Sequence, residues 1–148
     1  MSSRTPVAYI DLRVFSHSTE DEQKVLRAVY NILPAECSDL VRFKRRSLKG
    51  HYGNPITLLE TRIKRRDTVK AVIEKLASGL NSRDKKILRN EIKQHLDKGN
   101  LYVRFDKQSA FQNEIKLSSD DPIHFRIHFR KSGLEEIEKT CQELGILE

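Results

Sequence analysis

Five histidines, two cysteines and a few paired acids are the residues of this sequence with chemistry to offer. His124 and His128 alternate with Arg126 and Arg130 in the run His124-Phe125-Arg126-Ile127-His128-Phe129-Arg130. Two histidines and a cation around one phosphate suffice for metal-independent RNA cleavage. If the run is a strand, four residues at ~3.3 Å each hold the imidazoles roughly 13 Å apart, too far to share a phosphate. His51 sits in a turn-rich segment and meets His17 only if the fold joins them. Asp120-Asp121 would need a third carboxylate to hold magnesium. Cys37 and Cys141 have neither CxxC nor zinc-ligand spacing, so free reduced thiols are expected. The glycines, at 50, 53, 79, 99, 133 and 145, form no phosphate-cradling loop, and neither HExxH nor a glycine-flanked nucleophilic serine occurs. The expectation is a protein with no metal and no cofactor that is not an enzyme.

Binding chemistry is better supplied. The net charge is +7, and it is concentrated. Residues 42–107 carry 19 basic and 7 acidic side chains, net +12, between flanks that are weakly acidic. Such a focused field attracts polyanions. The expected contact set on a basic hairpin is Arg42, Lys44, Arg45, Arg46, Lys49, His51, Tyr52, Arg62, Lys64, Arg65 and Arg66. Arg104, Arg126, His128 and Arg130 would extend it across a sheet. Arginine suits the task because its planar fork grips phosphate bidentately and also stacks. Few aromatic rings are expected on the exposed face, so backbone and shape recognition of structured RNA is favoured over reading base by base. Changing Arg45, Arg46, Arg65 and Arg66 to alanine is expected to weaken RNA binding by roughly tenfold or more. One alternative, docking on an acidic protein surface, uses the same charges; the other is a metal-independent histidine ribonuclease, whose activity His51→Ala would abolish.

Elements must position these groups. With 148 residues, of which 42 are Leu, Ile, Val or Phe, the chain suffices for one globular domain spanning 1–148, with 1–6 as a flexible tail. No apolar run reaches membrane-span length and no signal peptide is visible, which makes the cytoplasm the expected location. Val7 to Phe15 alternates as a half-buried strand. Thr19 and Glu22 have capping-box spacing before a helix that Pro34 stops. Leu40–Leu48 and Ile56–Arg65 read as a hairpin. Asp67 is placed to cap one helix, and Ser82 opens another that runs to Gly99. Leu101–Phe105 and Ile123–Phe129 are strands, and Leu134–Leu144 is a final helix ended by Gly145. The order β-α-β-β-α-α-β-β-α, with each strand burying one face, predicts an α+β two-layer sandwich. Its antiparallel or mixed sheet has helices on one face and a basic open face.

Two segments carry a resemblance. The strand–helix junction Ser16-His17-Ser18-Thr19-Glu20-Asp21-Glu22-Gln23-Lys24-Val25-Leu26 and the connector Gly50-His51-Tyr52-Gly53-Asn54-Pro55-Ile56 resemble the signatures of a family of archaeal RNA-binding proteins. Its members are described as predicted exosome subunits, and their fold is similar to that of the large-subunit ribosomal protein that carries 5S rRNA. The order of elements fits over most of the chain. Where the family pattern has a second histidine this chain has Tyr52, which keeps a flat ring and removes a titratable group. The resemblance implies RNA binding, beside RNA-processing or RNA-degrading machinery.

Overall fold

The structure, a computed structural model, describes residues 6–50 and 52–148. All but one residue of the expected tail, and His51, thus lie outside the described residues. Six strands form one antiparallel sheet: β1 (Val7–His17), β2 (Lys44–Lys49), β3 (Pro55–Ile63), β4 (Leu96–Asp97), β5 (Asn100–Phe105) and β6 (Ile123–Phe129). Their order across the sheet is β2-β3-β1-β6-β5-β4. The helices are α1 (Glu22–Asn31), α2 (Arg66–Gly79), α3 (Ser82–Asn90), α4 (Ile92–His95), α5 (Lys107–Phe111) and α6 (Leu134–Leu144). The architecture is the α+β two-layer sandwich with one open sheet face.

Alternation decides which face is covered. Ile10, Leu12 and Val14 of β1, Phe125 and Ile127 of β6, and Leu101 and Val103 of β5 point to one side. There they join Val25 and Val29 of α1, Val69, Val72 and Leu76 of α2, and Ile137 and Cys141 of α6 in one buried cluster. A register shift between Val7 and Tyr9 returns Val7 to the core side and leaves Ala8 only half-buried, so the start of β1 departs from simple alternation. Leu58 is fully buried but outside that cluster; it pairs with Phe15 on the other face.

Several boundaries differ from the sequence reading. β2 begins at Lys44 and not Leu40, because the preceding segment is fixed by other bonds. Tyr30 Oη donates to the Val41 carbonyl (2.6 Å), and the Tyr30 and Phe43 rings meet edge to face at 5.6 Å. The N-cap of α1 is Asp21, which accepts from Gln23 N, and not Thr19. α2 starts one residue before Asp67; Asp67 lies in the first turn and accepts from Thr68 N. The helix expected to reach Gly99 breaks at Glu91, resumes for one turn as α4, and gives way at Leu96 to a tight hairpin, β4–β5. Its two turn residues, Lys98 and Gly99, both have positive φ (50° and 83°), the geometry that a two-residue turn needs to match strand twist. α5 arises in a stretch that reads only as polar: Asp106 caps it through Ser109 N, and Asn31 Nδ2 donates to its Ala110 and Phe111 carbonyls.

Candidate nucleic-acid interface

Side chains directly opposite each other on antiparallel strands share a face, about 5 Å apart. The register therefore writes out the open face row by row. One row runs Lys44, Glu60, Arg13, His124, Arg104 across five strands. The next runs Arg62, Asp11, Arg126, Tyr102. A third holds Tyr9, His128 and Asn100. The first two rows floor a concave cavity of about 850 Å³, to which Arg42 and Arg46 add a rim.

Acids organise the cations within it. Asp11, whose side chain is 13 % exposed, is bound by two arginines. Arg62 donates through Nε (2.7 Å) and Nη2 (3.0 Å), one to each carboxylate oxygen. Arg126 donates through Nε and Nη2, both to Oδ2. Burial would raise the Asp11 pKa, but hydrogen bonds from Arg62 and Arg126 and their charges outweigh it and hold the carboxyl below its usual range. Glu60 lies between Arg46 (3.6 Å) and Arg13 (4.0 Å). Arg42, Lys44 and Arg104 make no ion pair among the described residues. Seven basic and two acidic side chains line the cavity, so the field above it is positive.

Flat rings accompany the charges. Tyr9 stacks on His128 at 4.6 Å, and the Arg62 guanidinium lies 4.0 Å from the Tyr9 centroid. His128 Nδ1 is 2.7 Å from Asn100 Oδ1. Because that oxygen only accepts, the proton is assigned to Nδ1 and Nε2 is left as an acceptor in the neutral ring. Burial lowers the His124 pKa below the ordinary imidazole value, and the Arg104 and Arg13 charges lower it further.

The expected contact residues divide. Arg42, Lys44, Arg46, Arg62, Arg104 and Arg126 line the cavity, with His128 in the adjoining row. Lys49 ends β2, and Tyr52 stands 86 % exposed in the connector beyond it. Arg45 turns the other way: it pairs across from buried Leu59 and makes a two-toothed bond to Glu22 of α1 (2.7 and 2.8 Å). Lys64, Arg65 and Arg66 pass from the end of β3 into α2, where Arg65 bonds Asp67. Arg130 follows β6, and its backbone N–H bonds the Pro6 carbonyl. Reasoning from the sequence omitted Tyr9, Asp11, Arg13, Glu60 and His124 from this surface. Alternation already turned Tyr9, Asp11 and Arg13 outward on β1 and Glu60 outward with Arg62 on β3; only the strand pairing sets the two groups side by side.

The other chemical candidates have partners of their own. His17, Glu20 and Asp121 bring ligand-type atoms within 4.8 Å of one another. The ammonium of Lys107 lies among them, bonded to Glu20 (3.1 and 3.2 Å), Asp121 (2.8 Å) and the Phe15 carbonyl (2.8 Å). His17 Nε2 completes the set at 3.1 Å from Asp121 Oδ1. Much of the first signature segment is thereby explained as a tie between the β1–α1 turn and the chain before β6. Both thiols are free and buried; burial pushes Cys141 up to about 12, so it stays protonated and unreactive.

An open antiparallel sheet backed by helices here presents arginines and flat rings on its uncovered face, groups whose chemistry suits a polyanionic chain. A family model described as RNA binding matches residues 9–129, and the chain belongs to that family. A relative named as an RNA-binding protein in Pyrococcus abyssi is 36 % identical over 130 residues, 86 % of this chain and 84 % of that one. Among solved structures, a DUF54 family protein from Archaeoglobus fulgidus superposes with a TM-score of 0.80 at 27 % identity, covering 93 % of this chain and 99 % of its own. A DUF54 protein from Methanothermobacter thermautotrophicus does so with a TM-score of 0.75 at 28 % identity, covering 96 % and 98 %.

Proposed function

We infer that this protein binds structured RNA non-catalytically, across the open face of its sheet, with the phosphate backbone over the rows headed by Lys44 and Arg62. The observation that carries this reading is the cavity itself, where seven cations face solvent and two carboxylates serve to space them. Among the described residues, histidine chemistry gains no support from the geometry. His124 and His128 lie on different rows, His17 is engaged by Asp121, and His95 Nδ1 lies 3.0 Å from the Tyr102 carbonyl. The family resemblance favours a place beside RNA-degrading or RNA-processing machinery such as the exosome. Partners that survive ribonuclease in a pull-down would support that association, and partners that vanish would reduce it to shared RNA.

The experiment is fluorescence anisotropy with a labelled RNA hairpin and a DNA duplex of equal length. Changing Lys44, Arg46 and Arg104 together to alanine should weaken RNA binding by about tenfold or more with circular dichroism unchanged, since each removes a phosphate contact. Changing Arg45, Arg65 and Arg66 instead should cost about threefold or less, because Arg45 points to the helix layer and Arg65 is tied to Asp67. If the second set weakens binding more than the first, the RNA lies over the hairpin and the α2 start, and the open face is not the site.

A further inference from the structure

A carboxylate at the floor of a phosphate-binding groove is electrostatically out of place, and its geometry gives the reason. Each guanidinium has five N–H donors in a rigid fork. Arg62 and Arg126 both spend the same edge, Nε and Nη2, on Asp11. The other edge of each, built on Nη1 and the second hydrogen of Nη2, is not used on Asp11, and the Arg126 guanidinium also has the Tyr102 hydroxyl as a hydrogen-bond partner. Both side chains are accessible, at 43 % and 37 % exposure, whereas Asp11 beneath them is at 13 %. Arg62 is further fixed by its stack on Tyr9. Arg126, across β1 from Arg62, shares its row with Tyr102.

We propose that Asp11 is a positioning residue: it holds Arg62 and Arg126 by their inner edges so that the outer edges form a prebuilt two-pronged receptor for a backbone phosphate of the RNA. This deepens the RNA-binding reading and rests on it. The Coulombic cost of a negative charge near the ligand is offset by the ordering of two long side chains, which would otherwise lose rotamer freedom on binding.

The test exploits a conflict of signs. Asp11→Asn makes the groove one charge more positive, so a purely electrostatic surface would bind RNA more tightly. If Asp11 positions the arginines, binding of the labelled hairpin weakens by about fivefold or more, within the range of charged hydrogen bonds. Arg62→Lys combined with Arg126→Lys keeps the charge and removes the forks; it should cause a similar loss, and adding Asp11→Asn to that pair should cost little more. The Nε–H resonances of the two arginines, ordered in the wild type, should collapse toward the averaged position in Asp11→Asn. Unchanged or tighter binding by Asp11→Asn overturns the proposal. If that variant fails to fold, the paired lysine variant decides, and wild-type affinity there overturns it. Wild-type protein that binds no hairpin at all would instead overturn the RNA reading, whatever the arginine resonances do.

Discussion

His124 is a built-in reporter of the open face. Burial first, then the charges of Arg104 and Arg13, depress its pKa in the folded chain below the ordinary histidine value of about 6.5. The folded state thus prefers the neutral ring. Its contribution to stability is complete above about pH 6.5 and is lost as pH falls through the folded value. In an NMR titration His124 should have a midpoint below about 6.5, and Arg104→Ala should raise it. Bound RNA should raise it too, because a phosphate beside the ring favours the imidazolium; a midpoint indifferent to RNA would place the ligand elsewhere. The opposite device operates at Glu22. Hydrogen bonds from Arg45, opposed by a smaller burial effect and aided by its charge, lower the Glu22 pKa. The bond is therefore present above the unfolded carboxylate range and is lost on acidification. Glu22→Gln should lower the melting temperature at pH 7, and the difference should shrink as pH falls below the unfolded carboxylate value of 4.5; a difference that does not change with pH would mean that packing, not charge, was removed.

At the scale of elements, β2 shows what the sequence does and does not disclose. Its six residues, Lys44–Lys49, are all exposed, and their polar alternation carries no record of which side faces the helices. Adjacent Arg45 and Arg46 must point to opposite sides of a strand, so the arginines of the hairpin are not one surface; the pairing of Arg45 with Leu59, a member of the helix-side cluster, says which side is covered. β6 was legible because Phe and Ile at alternate positions name the buried side outright. The β4–β5 hairpin was hidden because Leu96 also suits a helical stripe, and only its pairing with Leu101 favours the strand. α5 was hidden because it is only five residues long: Asp106 caps its start locally, but its last carbonyls are bonded by Asn31, which is distant in the sequence. Local patterns thus gave the strands with one apolar face and the amphipathic helices α2 and α6. Elements held by side chains from elsewhere in the chain stayed unread. The edge itself follows a known rule: a charged margin discourages pairing with another strand, so β2 guards the sheet while it supplies one wall of the groove.

For the whole molecule, the organised excess of charge fixes the response to salt. Seven cations and two carboxylates line the groove, a net of about five. Each phosphate neutralised contributes about −0.7 to −0.9 to the slope of log affinity against log salt. A slope steeper than about −3 for the RNA hairpin is the expected outcome of titrations at several salt concentrations. A slope near −1 would mean that one or two contacts carry binding and that the rest of the field is idle. The strand order has a further consequence, one of timing. β1 is central, with β3 on one side and β6 on the other, and Asp11 is 115 residues from Arg126. On the ribosome the hairpin and β1 emerge and can pair well before β6 exists. Half of the groove then stands built, with Asp11 gripped by one arginine alone. The grip of two arginines on Asp11 is complete only when β6 slides in beside β1, so the proposed phosphate receptor is assembled late and in one step.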